Sequence, residues 1–570
     1  MTAPTPPVSE PVSEPVSPVV GVAAATGDSA PDLRGRCGDT SLRVGVSVVW
    51  LSIIVLLPLA AIAWQASGRG WQAFWLSVTS RAALDSLRVT LSISAAVTVV
   101  NTVFGLLIAW VLVRDDFVGK RLVDAIIDLP FALPTIVASL VMLALYGPTS
   151  PVGLHLQHTA WGVGVALAFV TLPFVVRAVQ PVLLEVDREA EEAAASLGAS
   201  GPKIFTSVVL PSLMPALLSG AGLAFSRAIG EYGSVVLIGG AVPGKTEVSS
   251  QWIRTLIEND DRDRRSRDIH CAADDFFCGV GAAACRRYAC GPAGGDCCMT
   301  PSPAVRYLVR CIALGYVTVL LVVPVAVILW RTFEPGLGQF YAWISTPAAI
   351  SALNLSLLVV GIVVPLNVLF GIPAALMLAR SRFRGKGVLQ AIIDLPFAVS
   401  PVIVGVALIL LWGSAGALGF VEKDLGLKII FGLPGIVLAS MFVTLPFVVR
   451  EVEPVLHELG TDQEQAAATL GSGWWQTFWR ITLPSIRWGL TYGIVLTVAR
   501  TLGEYGAVLI VSSNLPGTSQ TLTLLVSDRY NRGAEYGAYA LSTLLMAVAV
   551  VVLIVQVALD ARRARAAGQA

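Results

Sequence analysis

Apolar positions along this chain gather into long runs in place of the strict alternation of short, half-buried strands. In the first half they occupy approximately 44–66, 87–113, 126–147, 160–183 and 213–240. In the second half they fall near 308–330, 350–379, 390–412, 430–455, 486–512 and 536–559. A bilayer core about 30 Å thick is crossed by about 20 apolar residues in a helix, so the pattern predicts an all-α, polytopic transmembrane helical bundle. Composition agrees. With 55% hydrophobic and 14% charged residues among 570 and a mean hydropathy of +0.74, there is too little charge for a water-soluble surface.

The runs come in two related sets. TLPFVVRAVQPVLLEV from Thr171 returns as TLPFVVREVEPVLHEL from Thr444, and RAIGEYG from Arg227 returns as RTLGEYG from Arg500, each at an offset of 273. The earlier pair, IIDLPFALP around Asp128 and IIDLPFAVS around Asp394, is offset by 266, so the second copy has gained seven residues in an outer loop. Hydrophobic coincidence would not keep Arg, Glu, Pro and Gly in step, so two homologous membrane units lie in tandem.

Net charge is +1, which gives no reason to expect nucleic acid as a partner. Local charge is more informative. Arg380, Arg382, Arg384 and Lys386 share a short loop and Arg562, Arg563 and Arg565 lie near the C-terminus, so the positive-inside rule places both on the cytoplasmic side. Residues 1–42, with their Val-Ser-Glu-Pro repeats, read as a disordered cytoplasmic tail and not a signal peptide.

Between the fourth and fifth runs the first copy carries EAAASLGASGPKIFTSVVLP from Glu192 and the second QAAATLGSGWWQTFWRITLP from Gln465. A short Ala-faced helix ended by glycine offers a smooth ridge for another protein's groove; here Glu192, Ala193, Ala194 and Gly198 form one such loop and Gln465, Ala466, Ala467 and Gly471 the other. The Leu-Pro pairs at Pro211 and Pro484 are expected to start the next membrane helix. At these residues the chain resembles the membrane-spanning subunits of ABC importers. IDLPFALPTIVASL, GEYGSVVLIGG and TLTLLVSDRYNRGAEYGAYALSTLL are most similar to the sulfate/thiosulfate type, copy one to its T subunit and copy two to its W subunit. The resemblance implies two MetI-like permease units, two separate ATP-binding subunits seated on the Ala-rich loops, an extracytoplasmic sulfate-binding protein, and sulfate or thiosulfate as cargo through the cell membrane. It implies no cofactor or metal in this chain, with ATP and Mg in the partner subunits. Gln465 departs from the Glu expected in that loop, and an alternative cargo is molybdate or another oxyanion.

One motif argues otherwise. GGAVPGKT at 239–246 satisfies the phosphate-loop pattern G-x-x-x-x-G-K-[ST], but a working phosphate loop lies between a strand and a helix whose amides face the phosphates. Here it follows a membrane helix, on the outer side of the expected topology. Its counterpart in the second copy, Gly517, Thr518 and Ser519, lacks the lysine. No nucleophile, base and orienting group come together either, so the chain is read as a transport permease and not an enzyme.

The expected units are residues 43–252 with five visible spans and 301–570 with six, separated by an aberrant junction at 253–300. Docking loops on one face demand an even number of spans per unit. Where the missing span belongs, the chain reads DRDRRSRDIHCAADDFFCGVGAAACRRYACGPAGGDCC, too polar to cross lipid cheaply. Cys271, Cys278, Cys285, Cys290, Cys297 and Cys298 admit a metal or redox insert, although no C-x-x-C pair is present; a plain linker is a second reading. The preferred reading is translation out of frame, starting near Asp263. Every Cys codon read one nucleotide later encodes Val or Ala, giving apolar text, and the shifted frame stops at Met299-Thr300, where a second coding region would begin.

Charges inside lipid are candidates for function. Arg227 and Glu231, like Arg500 and Glu504, stand four apart and are expected on one face of a helix, next to Tyr232 and Tyr505. Two readings are open: a lining for the anion pathway, with guanidinium forks suited to sulfate oxygens, or a structural lock at a pseudo-twofold axis. Arg177 and Arg450 are expected as snorkelling anchors and Asp128 and Asp394 as helix caps. Gly230, Gly233, Gly503 and Gly506 would permit close helix approach or a bend.

Overall fold

In the computed structural model, residues 49–67, 79–258, 303–381, 385–414 and 416–567 are described, with positions 45, 72, 75 and 76. Every regular element among them is helical. The Cys-rich junction, the N-terminal tail, Arg382 and Arg384 lie outside the described residues.

The first unit comprises α1 (Val49–Gln65), α2 (Arg81–Arg114), α3 (Lys120–Ala132), α4 (Thr135–Tyr146), α5 (Ala160–Glu185), α6 (Arg188–Ser196), α7 (Gly201–Gly230), α8 (Val236–Gly239) and α9 (Ser249–Glu258). The second begins with α10 (Val305–Phe333), α11 (Leu337–Ile344), α12 (Pro347–Arg380), α13 (Lys386–Ala398) and α14 (Pro401–Trp412). It continues with α15 (Leu433–Leu459), α16 (Asp462–Thr469), α17 (Arg487–Gly503), α18 (Gly506–Val511), α19 (Leu522–Asn531) and α20 (Glu535–Ala567). At the offset of 273 the counterpart of α20 would fall on residues 262–294, outside the described residues.

Seven described helices are long and apolar enough to cross a membrane, and the runs at 126–147 and 390–412 are not straight spans. Each is broken, by 113° between α3 and α4 and 109° between α13 and α14. Proline sets the break: it pushes the residue before it out of the helical region, and Leu133 before Pro134 and Ser400 before Pro401 are both extended, at ψ 135° and 133°.

The Leu-Pro pairs act differently from expectation. Pro211 does not start a helix; α7 begins at Gly201 and widens into a π-helical turn at Phe205–Val209. The same turn recurs at Ser52–Leu56, Thr318–Val322 and Phe478–Thr482, each followed by a proline four residues past its centre: Pro58, Pro211, Pro324 and Pro484. A proline has no N–H for the carbonyl four residues back and its ring crowds that carbonyl, so a local widening accommodates it; α7 runs on past Pro211, whereas past Pro484 the helix stops at Ser485 and α17 starts at Arg487.

The units exchange their first helices. α1 packs on α13, α14 and α15 of the second unit, and α10 on α2, α4 and α5 of the first. Equivalent aromatic stacks fasten the exchange: Trp50 on Phe370 (3.6 Å) and Tyr316 on Phe104 (3.9 Å). The Tyr316 hydroxyl donates to Asn101 Oδ1 at 2.9 Å, while Trp50 Nε1 and Asn367 Oδ1, in the corresponding places, have no partner.

Sidedness follows from contacts. Arg306 and Arg310, near the start of α10, grip Asp115 just beyond α2 at 2.6 and 2.9 Å, and Arg114 beside it pairs with Glu191 of α6. The 29-residue α10 crosses to the other face, where Arg331 donates to the Thr149 carbonyl, and α12 returns to put Arg380 3.2 Å from Glu464 of α16. The two short helices α6 and α16 therefore stand on the same face.

Candidate functional site: the paired axis and the docking face

Each Gly-Glu-Tyr-Gly segment is a turn. α7 ends at Gly230 and α17 at Gly503, and the glutamates that follow are extended, so Arg227 with Glu231 and Arg500 with Glu504 do not share a helix face as expected. The pairs form nonetheless, because each glutamate folds back to its arginine, at 2.5 Å for Arg227–Glu231 and 2.9 Å for Arg500–Glu504. The other carboxylate oxygen accepts from the backbone beyond the turn, Ser234 N at 3.0 Å and Ala507 N at 3.2 Å. The glutamate side chains are 1% exposed and the arginines 14%. Such buried carboxylates persist because both oxygens are engaged.

These turns are where the units meet. Arg227 lies within electrostatic reach of Arg500 and Glu504 as well as its own Glu231, and the Tyr232 and Tyr505 rings stack at 6.0 Å and 11°. A side chain on Gly503 would press on Pro134 at 3.1 Å and one on Gly230 on Ser400 at 3.4 Å, each in the other unit's break. Gly233 and Gly506 pack on the break of their own unit; a Cβ at Gly233 would stand 2.1 Å from Thr135 Oγ1. The tyrosine hydroxyls are held unequally: Arg254 Nη1 donates to Tyr232 at 2.7 Å, while Tyr505 shares a hydrogen bond with Ser527 at 2.9 Å.

On the face they share, α6 and α16 end in left-handed glycines, Gly198 at φ 83° and Gly471 at φ 82°. Behind each the backbone closes a Schellman-type cap, Ala199 N to Ala194 O and Ser472 N to Ala467 O, both 3.0 Å. Leu197 and Leu470, just before the glycines, are 88% exposed. Glu192, Ala193 and Ala466 face solvent, Ala194 is half-buried and Ala467 buried; Gln465 Nε2 bonds Thr461 Oγ1 at 2.8 Å. Glu191 and Glu464, one residue ahead of the expected Glu192 and Gln465, tie the loops to the membrane helices through Arg114 and Arg380.

Two expectations are corrected. Arg177 does not snorkel: it binds Asp128 and Asp124 at 2.6 and 2.8 Å, and Arg450 binds Asp394 at 2.8 Å. Asp128 makes no side-chain cap and Asp394 lies inside α13; both serve as counter-ions, partly exposed carboxylates held by charge-assisted bonds to a guanidinium. GGAVPGKT forms a self-contained turn after α8, in which Thr246 Oγ1 donates to Gly239 O at 2.6 Å and accepts from Val242 N at 3.1 Å. Among the described residues no three potential metal ligands converge, and the six junction cysteines lie outside them.

A family model, "Binding-protein-dependent transport system inner membrane component", matches twice, over residues 101–273 and 367–565, together well over half of the chain. The chain belongs to this family. It is thus a multi-pass inner-membrane permease built of two homologous units. Among its relatives, the sulfate transport system permease protein CysW of Synechococcus elongatus is 46% identical over 254 residues, 45% of this chain and 89% of the relative. The corresponding CysT of Salmonella typhimurium is 42% identical over 228 residues, 39% and 82% of the two chains. The chloroplastic sulfate permease 2 of Chlamydomonas reinhardtii is 42% identical over 245 residues, 43% and 66%.

Sequence reasoning missed Leu197, Leu470, the Arg114–Glu191 and Arg380–Glu464 ties, and Arg254. The leucines recur at offset 273 within the quoted loops, so their signal was available; position 254 carried one as a departure, because its equivalent is Ser527.

Proposed function

We propose that this permease imports sulfate or thiosulfate, with two ATP-binding subunits seated on α6 and α16 and an extracytoplasmic binding protein delivering the anion to the opposite face. The observation that carries the reading is the pair of exposed leucines, Leu197 and Leu470, on capped helices at one face. An apolar side chain held out in water on a polar helix is a feature that a groove in another protein explains. The names of the relatives support sulfate as cargo. ATP and Mg belong to the docked subunits in this scheme, and binding ATP drives rocking by its differential affinity for one state. Of the two readings of the Arg–Glu pairs, the lock between the units is preferred, because both glutamates are buried and also hold backbone N–H groups.

Uptake of labelled sulfate by cells that have no other sulfate permease and express the chain with such partners tests the reading. Uptake that molybdate suppresses as strongly as unlabelled sulfate favours the second reading, a broader tetrahedral-oxyanion permease; no uptake of either overturns both.

The division into 1–42, 43–252, 253–300 and 301–570 is retained, with the junction proposed as an out-of-frame stretch that replaces the first unit's counterpart of α20. Its position, residues 262–294 at the repeat offset, supports this. The genomic DNA decides: absence of an apolar alternative frame across 255–300 removes the proposal.

A further inference from the structure

We propose that Arg254 is the anion-recognition residue of the pathway, a guanidinium contributed by the first unit alone and suited to a doubly charged tetrahedral oxyanion. This rests on the oxyanion-permease reading and adds to it which side chain meets the cargo.

Positions 254 and 527 are equivalent in the repeat, and each bonds its own unit's buried tyrosine. Because the two tyrosine rings stack across the axis, Arg254 and Ser527 flank the place where the units meet. Arg227 and Arg500 are poor candidates for transient binding. Their glutamates are almost fully buried and also hold backbone N–H groups, so releasing either would leave a buried, uncompensated charge. Arg254 differs in its counter-ion. Glu258, one turn further along α9, has a side chain 57% exposed and can swing into water, whereas Arg254 itself is 26% exposed.

In the resting arrangement Glu258 Oε1 accepts from Arg254 Nε at 2.8 Å and lies 2.6 Å from Nη2. Two neighbouring donors of the guanidinium thus converge on one carboxylate oxygen; the same Nε–Nη2 edge is the one with which arginine takes two oxygens of a tetrahedral anion. Nη1 stays on the Tyr232 hydroxyl and keeps the fork in place. An arriving dianion displaces the monovalent carboxylate, and the returning carboxylate helps to expel it. Such exchange keeps binding weak enough for release, as conduction requires. Ser527 on the other side supplies a neutral hydroxyl, so only one strong cation holds the cargo.

The test uses the full chain with its ATP-binding subunits and binding protein in proteoliposomes, reading labelled sulfate uptake and ATP hydrolysis together. Arg254→Gln is expected to lower uptake about 10- to 100-fold, the loss for a charge-assisted contact, while hydrolysis stimulated by the binding protein continues. Arg254→Lys, which keeps the charge without the fork, falls between. Glu258→Gln removes the competitor and raises uptake at limiting sulfate. A merely structural Arg254–Glu258 pair would make both variants lose uptake and hydrolysis alike, which overturns the proposal, as does wild-type uptake by Arg254→Gln. If the Arg254 variants fail to assemble, Glu258→Gln decides: raised uptake supports the assignment, and unchanged or lowered uptake overturns it. Wild-type sulfate uptake is the control; its absence counts against the oxyanion reading and removes this assignment with it.

Discussion

Tyr232 and Tyr505 occupy equivalent places in the two units, yet a guanidinium holds the first and a serine hydroxyl the second. Similar divergence appears where the first helices exchange: Tyr316 bonds Asn101, while Trp50 leaves Asn367 Oδ1 without a partner. Around these differences the skeleton repeats closely. The widened turns, the breaks of 113° and 109°, the Arg–Glu pairs and the glycine-capped helices α6 and α16 all recur. The backbone-setting positions and the Arg, Glu and Tyr side chains at the axis are thus duplicated, while the groups that bond those tyrosines and fasten the exchanged helices differ.

The buried pairs test the symmetric part most severely. Glu231→Gln and Glu504→Gln are each expected to destabilise the folded permease by about 3–5 kcal/mol, because each strands a buried guanidinium. Thermal unfolding in detergent should show equal losses; a loss confined to one unit would break the proposed equivalence of the two turns.

The docking face comes next. Leu197→Asp or Leu470→Asp should weaken attachment of an ATP-binding subunit by about 2 kcal/mol, a hot-spot loss, without changing the stability of the isolated chain. Pull-down of those subunits with each variant would compare the loops, and a larger effect for Leu197 than for Leu470 would show that Glu192 against Gln465 matters.

The smallest effect concerns the exchanged helices. Tyr316→Phe should cost about 1 kcal/mol by leaving the Asn101 carbonyl unpaired, whereas Trp50→Phe loses no hydrogen bond. An unfolding midpoint unchanged by Tyr316→Phe would show that the Tyr316 bond contributes nothing.

The spans, the tandem repeat and the short glycine-ended Ala-rich helices were legible because each depends on local properties: hydropathy over one helix length, spacing between copies, and a glycine after an Ala-rich turn. The GEYG segments misled because a four-residue spacing reads as one helix face, whereas Gly230 and Gly503 end the helices and the glutamates reach back from extended backbone. Arg177 and Arg450 misled for another reason, since their carboxylate partners lie 49 and 56 residues away in sequence.

By itself the sequence determined that this chain crosses a membrane as two related helical units, because burial in lipid demands long apolar runs and a duplicated hydrophobic and glycine–proline pattern specifies a duplicated backbone. Only the tertiary structure decided that the first helices change places, that α6 and α16 share a face, and that Arg254 stands beside the tyrosine pair with an exposed counter-ion. Those facts depend on contacts between residues far apart in the chain, and no local periodicity encodes which distant surfaces pack together.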